Sequence, residues 1–266
     1  MKILCLVKLV PDVDDLRYDP ERNTLVRESA HLMINPEDST ALAVALGVKQ
    51  ELPDTRIETV SMAPLGAMPH LEDLIRRGVD KATVLSDPMF AGSDTWATSR
   101  ILAGFLSSYS FDCVFCGTHT LDGGTAQVPA QTAEFLGLPY MGNILQADIL
   151  SLKEGNAVVD VDGEAAVLRF SVRLPAVLGF LYSPKRKLPY ISYENLNRDV
   201  RDRISVLDNS AIRIKEAEIG LEGSLTRVRR VEAETSGRKS AKFVRADAEG
   251  IDAVLDFLTS KGFLRL

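Results

Sequence analysis

The stretch Gly117-Thr-His-Thr-Leu-Asp122-Gly123-Gly124-Thr125-Ala126-Gln127-Val128-Pro129 carries the residue types best suited to holding a phosphorylated ligand. It follows an apolar run, Phe111 to Cys116, and precedes a helical pattern, so its glycines fall between strand and helix. Glycine lets the backbone approach a ligand closely, and Thr125 adds a hydroxyl. The first N–H groups of a helix lack intrahelical partners and can bind phosphate. The same residues also suit an ordinary Gly-rich turn, and that reading stands beside the first. Ser61-Met62-Ala63-Pro64 and Gly92-Ser93-Asp94-Thr95 lie at strand–helix junctions and could line the same crevice. Turn and cap chemistry accounts for each of them taken alone.

Other chemistry is sparse. Cys113-Val-Phe-Cys116 has a redox or metal spacing, but it sits in an apolar run with no second cysteine pair and no histidine pair nearby. Three cysteines in all argue against a disulfide framework, so they read as small core residues. His31, His70 and His119 are far apart, and only His119 falls near the Gly loop. Trp96 reads as packing. No Walker A, GxGxxG, HExxH or GxSxG pattern occurs, and no catalytic side chain or metal site is expected.

The elements that must position the loop alternate. Lys2–Val7 predicts a strand, and residues 17–18 and 24–27 predict a hairpin about Asp-Pro-Glu-Arg-Asn. Asn35 fits a helix N-cap, Pro36 the first helical position, and Glu37 and Asp38 the acidic first turn. Ala41, Leu42, Ala45, Leu46 and Lys49 continue at helical spacing. Strands at 57–62, 82–85 and 113–116 then alternate with helices at 68–77, from Ser93 or Thr95 to about Phe105, and at 125–135. This order predicts βαβ units in a doubly wound, mostly parallel sheet with right-handed crossovers. After Pro139 the pattern changes to short strands at 145–152, 157–161, 165–172 and 176–181, which predict an antiparallel extension. Residues 183–245 read as an extended basic arm, and 248–261 as a last helix. The chain is thus expected to divide into an α/β domain that carries the Gly loop, 1–182, and a basic arm with its helix, 183–266.

With 45% apolar and 26% charged residues, the 266-residue chain can bury a sizeable core. The net charge of −6 is uneven. Residues 1–182 carry 14 Lys and Arg against 24 Asp and Glu, a net of −10, whereas 183–245 carry 15 against 9, a net of +6. A basic segment on an acidic chain suits an arm laid on another surface. With few aromatics in it, nucleic acid is not expected. The apolar start is too short for a signal peptide, and no run approaches the ~20 apolar residues of a membrane span. A cytoplasmic location without membrane insertion is expected.

Ordered motifs extend this reading. Met1-Lys-Ile-Leu-Cys-Leu-Val-Lys8-Leu-Val-Pro11-Asp12, Asp19–Arg27, Ile34-Asn-Pro-Glu-Asp38, Val60–Pro64, Gly78–Ala82, Ala91–Thr98, Asp122–Val128 and Leu136–Pro139 together resemble the beta subunit of electron-transfer flavoproteins, from Met1 to about Leu207. The resemblance implies a subunit that works with an alpha subunit carrying the main redox FAD, and partner wrapping for residues 183–266. It also implies nucleotide binding for the domain 1–182, in the crevice: AMP in simple carriers, a second FAD in electron-bifurcating ones. Leu6, Asn35, Pro36, Glu37, Asp38, Met62 and the segment Asp122–Ala133, with Asp122, Gly123, Gly124, Thr125, Ala126, Gln127, Val128 and Thr132 in it, should surround that nucleotide. Pro184–Leu196 takes the place of the partner-recognition loop. Three departures from the family pattern stand out. Ala63 replaces the glycine of Met-Gly-Pro, Gly124 and Pro129 replace an aspartate and a glycine of the loop, and 186–192 is looser than the usual recognition sequence.

The hairpin at Asp19–Arg27 and the Asn-Pro-Glu-Asp helix start look like the anaerobic, bifurcating type. FAD is therefore expected in the crevice, with AMP as the alternative. Electrons would pass between NADH, or an acyl-CoA-type dehydrogenase, and a downstream acceptor. Two other classes compete: a stand-alone adenine-nucleotide sensor, and a nucleotide-consuming enzyme such as an adenylating ligase. The sensor leaves the basic arm unexplained, and the ligase lacks a strong pyrophosphate loop and catalytic groups.

Overall fold

Strand β1 (Lys2–Leu6) alternates in the way a strand buried on both faces must. Ile3 and Cys5 enter one apolar cluster, Leu4 and Leu6 another. The computed structural model describes residues 1–12, 17–19, 24–26, 32–227 and 243–264. Around β1 a sheet of nine strands forms in the order β11-β10-β9-β12-β8-β1-β6-β7-β13. Its parallel part comprises β1, β6 (Arg56–Met62), β7 (Lys81–Leu85), β8 (Cys113–Gly117), β12 (Val177–Phe180) and β13 (Ile204–Leu207). β9 (Tyr140–Asp148) pairs parallel to β12 and antiparallel to β10 (Asn156–Asp162), which pairs antiparallel to β11 (Val167–Arg173).

Helices cover both faces, as the βαβ alternation requires. α1 (Pro36–Glu51) and α2 (Met68–Arg76) bury Leu42, Leu46, Leu71 and Leu74 in the cluster of Ile3 and Cys5. α3 (Thr95–Ser107) and α4 (Gln127–Leu136) bury Ile101, Phe105 and Ala133 in the cluster of Leu4 and Leu6. The chain runs from β1 outward to β6 and β7, then returns to β8 on the opposite side of β1. That reversal opens a crevice beyond the carboxyl ends of β1 and β8, the usual ligand position in such sheets.

Two small antiparallel ladders complete the N-terminal region. β2 (Leu9–Pro11) pairs with β5 (Leu32–Ile34), and β3 (Arg17–Asp19) with β4 (Thr24–Val26), the expected hairpin. The residues between β3 and β4 lie outside the described set.

Four local readings are corrected. The strand at 176–181, expected to be antiparallel, is β12, inserted parallel between β8 and β9. The strand expected at 145–152 starts earlier, at Tyr140, and ends at Asp148, where a 3-10 turn (Leu150–Glu154) takes over. Residues 183–227, expected to be extended, supply β13 at the sheet edge and two one-turn helices, α5 (Asn209–Ile212) and α6 (Gly220–Gly223). α4 begins at Gln127 rather than Thr125, because Ala126 has a left-handed backbone, φ 54°.

The chain divides into two compact units, residues 1–229 and 230–266. In the second, α7 (Ala248–Ser260) is capped by Asp247, whose Oδ1 accepts the Gly250 N–H at 2.9 Å, and it exposes Ile251, Val254 and Phe257. Among the described residues no helix is long and apolar enough to cross a membrane.

Candidate functional site: the crevice at the switch of strand order

The crevice is built by α1 reaching across two strand ends. Asn35 precedes α1 as its N-cap residue, but its side chain makes no cap bond. Instead its Nδ2 donates to His119 O at 2.8 Å, and its Oδ1 accepts from Leu121 N at 3.1 Å. Glu37 Oε2 accepts the His119 N–H at 2.6 Å. Asp38 bridges the two central strands: Oδ2 accepts from Lys8 N at 2.8 Å and Oδ1 from Gly117 N at 2.7 Å. The motif Asn-Pro-Glu-Asp thereby fixes the backbone of residues 117–121, the entry to the Gly loop.

This fit needs glycine at 117. A Cβ there would come within 2.6 Å of Glu37 Cβ and 2.7 Å of Asp38 Oδ1. The Asp38 carboxyl is buried, and burial pushes it up to about 7, although the two N–H donors hold it down in part. Lys8 closes the bracket from β1, with its Nζ at 2.7 Å from both oxygens of Asp122. Burial would raise Asp122, but its bonds to the Lys8 ammonium outweigh that and hold the carboxyl below its ordinary value.

A cavity of about 360 Å³ lies beside this bracket. It is at the small end of the ~300–1,000 Å³ range of ligand clefts. Leu6, Val60, Met62, Leu102 and Val128 give it an apolar wall. The hydroxyl-bearing Thr95, Thr98, Thr118, Thr120 and Thr125 and the backbone of Gly123, Ala126 and Gln127 give it a polar one. Lys8 is the one cation among these lining residues, and it is paired. Thr95 Oγ1 and Gln127 Oε1, 2.9 Å apart, join the starts of α3 and α4 across the rim. Apolar surface suits a planar base, while hydroxyls and free N–H groups suit a ribose and a phosphate at a helix start. The donor set fits a nucleotide.

Of the residues singled out in the sequence, Leu6, Asp38, Met62, Gly123, Thr125, Ala126, Gln127 and Val128 line this cavity. Asp122 stands next to it, paired with Lys8, and Gly124 turns the loop at φ 59° with its N–H donating to Thr120 O at 2.8 Å. Thr132 is fully buried, and its hydroxyl has no hydrogen-bond partner. Asn35, Pro36 and Glu37 face a neighbouring cavity of about 690 Å³, together with His119, Leu121, Arg186 and Lys187; Thr120 borders both. Both accessory loops reach the first cavity, through Met62 and through Ser93, Asp94 and Thr95.

The cap of α3 is Asp94, not Ser93 or Thr95: its Oδ1 accepts the Ala97 N–H at 3.0 Å. Leu102 carries no motif signal in the sequence, and Thr98 only closes the motif Ala91–Thr98; they lie eight and four residues past that cap on α3. Lys8 is visible in the sequence only as one residue of the opening motif Met1–Asp12. The three cysteines are free and buried, and burial pushes the thiols of Cys5, Cys113 and Cys116 up. Among the described residues no His, Cys, Asp and Glu cluster could hold a metal. Trp96 packs edge-on against Phe135 with ring centroids 4.8 Å apart.

Residues 23–180 match the electron transfer flavoprotein domain. Electron transfer flavoprotein subunit beta of Thermoanaerobacterium thermosaccharolyticum is 29% identical, over 98% of this chain and 99% of its own. The protein of the same description in Clostridium acetobutylicum is 31% identical, over 95% and 92%. The caffeyl-CoA reductase-Etf complex subunit CarD of Acetobacterium woodii is 32% identical, over 86% of each. By the domain matched, by near-full-length similarity and by the expected α/β architecture with a mostly parallel sheet, this chain belongs to the electron transfer flavoprotein family, among its beta subunits.

Proposed function

We propose that this chain is the nucleotide-holding beta subunit of a two-subunit flavoprotein that carries electrons between a dehydrogenase-type donor and a downstream acceptor. The observation that carries the proposal is the crevice itself. Three segments, the Gly loop before α4, the capped start of α3 and the end of β1, converge on one amphipathic cavity at the reversal of strand order. The residues proposed to hold the nucleotide are Leu6, Met62, Gly123, Gly124, Thr125, Ala126, Gln127 and Val128. Asn35, Glu37 and Asp38 act on it by holding the loop. A bound flavin would supply the redox chemistry, and this chain supplies binding, orientation and exclusion of water.

We further propose FAD as the nucleotide, with AMP as the alternative. The 360 Å³ cavity alone is small for a dinucleotide. We read the neighbouring 690 Å³ cavity, which shares the lining residue Thr120 with it, as the room for a longer ligand, with Arg186, Lys187 and His119 along it. The similarity to a subunit of a caffeyl-CoA reductase-Etf complex supports the same choice. NADH, or an acyl-CoA-type dehydrogenase, is the proposed donor. Within residues 183–266, the segment 184–196 is proposed to meet the dehydrogenase and the remainder to act as the arm that engages the alpha subunit. Extraction and quantification of nucleotides from the complex co-purified with its alpha subunit tests the reading. Two FAD per complex, directly reducible by NADH, is the expected outcome. One FAD with one AMP would mark a simple carrier and overturn the FAD assignment.

A further inference from the structure

Residues 218–226 do not line the cavity, yet they are tied to its wall through Asp94. The Asp94 Oδ2 accepts both the backbone N–H and the hydroxyl of Thr226, at 2.8 and 2.9 Å. The Asp94 N–H donates to Ser224 Oγ at 2.8 Å, and that hydroxyl lies 2.7 Å from Gly220 O and 3.2 Å from Gly92 O. The other Asp94 oxygen caps α3 through Ala97. One carboxylate therefore joins a helix start in the cavity wall to a segment about 130 residues away in the chain.

The seam is closely fitted on both sides of these bonds. A Cβ at Gly220 would collide with the carbonyl of Met89, and one at Gly92 would lie 3.2 Å from Leu221 Cβ. Ile219 is 2% exposed and shares a cluster with Phe90, and Arg100 pairs with Glu218 at 3.2 Å. Because Thr95 in turn bonds Gln127, a shift at Asp94 passes to the start of α4 and the Gly loop.

We propose that Thr226 and Ser224 are positioning residues for the nucleotide cavity, holding Asp94 and the start of α3 in the geometry that admits the ligand. This inference rests on the reading that the cavity holds an adenine nucleotide. When the strap is undocked, the competent fraction of the wall falls, and apparent affinity falls with it. By reciprocity, nucleotide in the cavity stabilises the docked strap.

The test uses the complex of this chain with its alpha subunit, freed of crevice nucleotide and titrated calorimetrically with AMP and separately with FAD. Thr226→Val should bind either probe roughly three- to ten-fold more weakly, since the Thr226 N–H bond to Asp94 remains and only part of the lost hydroxyl bond is transmitted to the cavity. Thr226→Ser should restore the affinity, and Ser224→Ala should shift it in the same direction as Thr226→Val. A purely structural role would lower the melting temperature of the free complex and leave affinity unchanged. Unchanged affinity in Thr226→Val, with wild type binding normally, overturns this inference and spares the reading of the cavity. Wild type that binds neither probe overturns both. If Thr226→Val does not fold, hydrogen exchange in wild type decides: the Thr226 amide should slow on addition of AMP, and an unchanged rate counts against the strap.

Discussion

Asp38 combines a buried carboxyl with two backbone donors from different strands. Its folded-state value of about 7 lies above the ordinary 3.8, so between these values the folded chain binds a proton that the unfolded chain has released. The stabilisation is fully present below the unfolded value and is lost as pH rises through about 7. Urea unfolding from pH 4 to 8 should therefore show a falling component that Asp38→Asn removes. A rising or flat component in the wild type, once other groups are allowed for, would contradict this. Asp38→Asn should also cost about 1–3 kcal/mol, because an amide donor then faces a buried N–H.

At the loop, Gly124 and Gly123 should behave differently. Gly124 has φ 59° and Gly123 does not share that conformation, so Gly124→Val should sharply reduce nucleotide retained on purification and Gly123→Ala should spare most of it. Equal retention in both would count against the loop. The roles of Asn35 and Asp94 show the limit of reading residues from sequence. Both were legible as residues at helix starts, but the partners of Asn35 lie more than 80 residues away, and no local pattern encodes them.

α1 closely approaches the end of β8, and Gly117 permits it. Gly117→Ala should destabilise the chain by about 1–3 kcal/mol as α1 is pushed outward. Chemical denaturation measures this, and a neutral effect would mean that α1 has slack the geometry does not show. The parallel core was legible because apolar runs alternated with helical spacing and turn residues. The direction of β12 was not, since four buried apolar residues read the same in either direction. β13 escaped notice because it is only four residues long, Ile204 to Leu207, and stands in a charged stretch between Arg203 and Asp208. The start of α4 moved by two residues because Ala126, a good helix former, takes the left-handed conformation.

At the scale of the molecule, residues 182–196 expose a set of aromatic side chains on the described surface. Tyr182, Tyr190, Tyr193 and Leu196 are all exposed, Tyr190 at 94% and Tyr193 at 93%, beside Lys185, Arg186 and Lys187. Aromatic anchors rimmed by charge are typical of binding surfaces. Residues 184–196 should therefore slow in hydrogen exchange when a dehydrogenase partner is added to the complex, and unchanged exchange there would place docking elsewhere. The family and the sheet were legible from ordered motifs. Which side chains line the cavity and which hold the loop was not, since that depends on pairings across the fold. The central claim, a nucleotide in the crevice of a beta subunit, is tested most directly by counting nucleotides in the one-to-one complex with the alpha subunit, wild type beside Gly124→Val. The account predicts two FAD per wild-type complex and one in the variant. A single nucleotide per wild-type complex, unaffected by the variant, would contradict it.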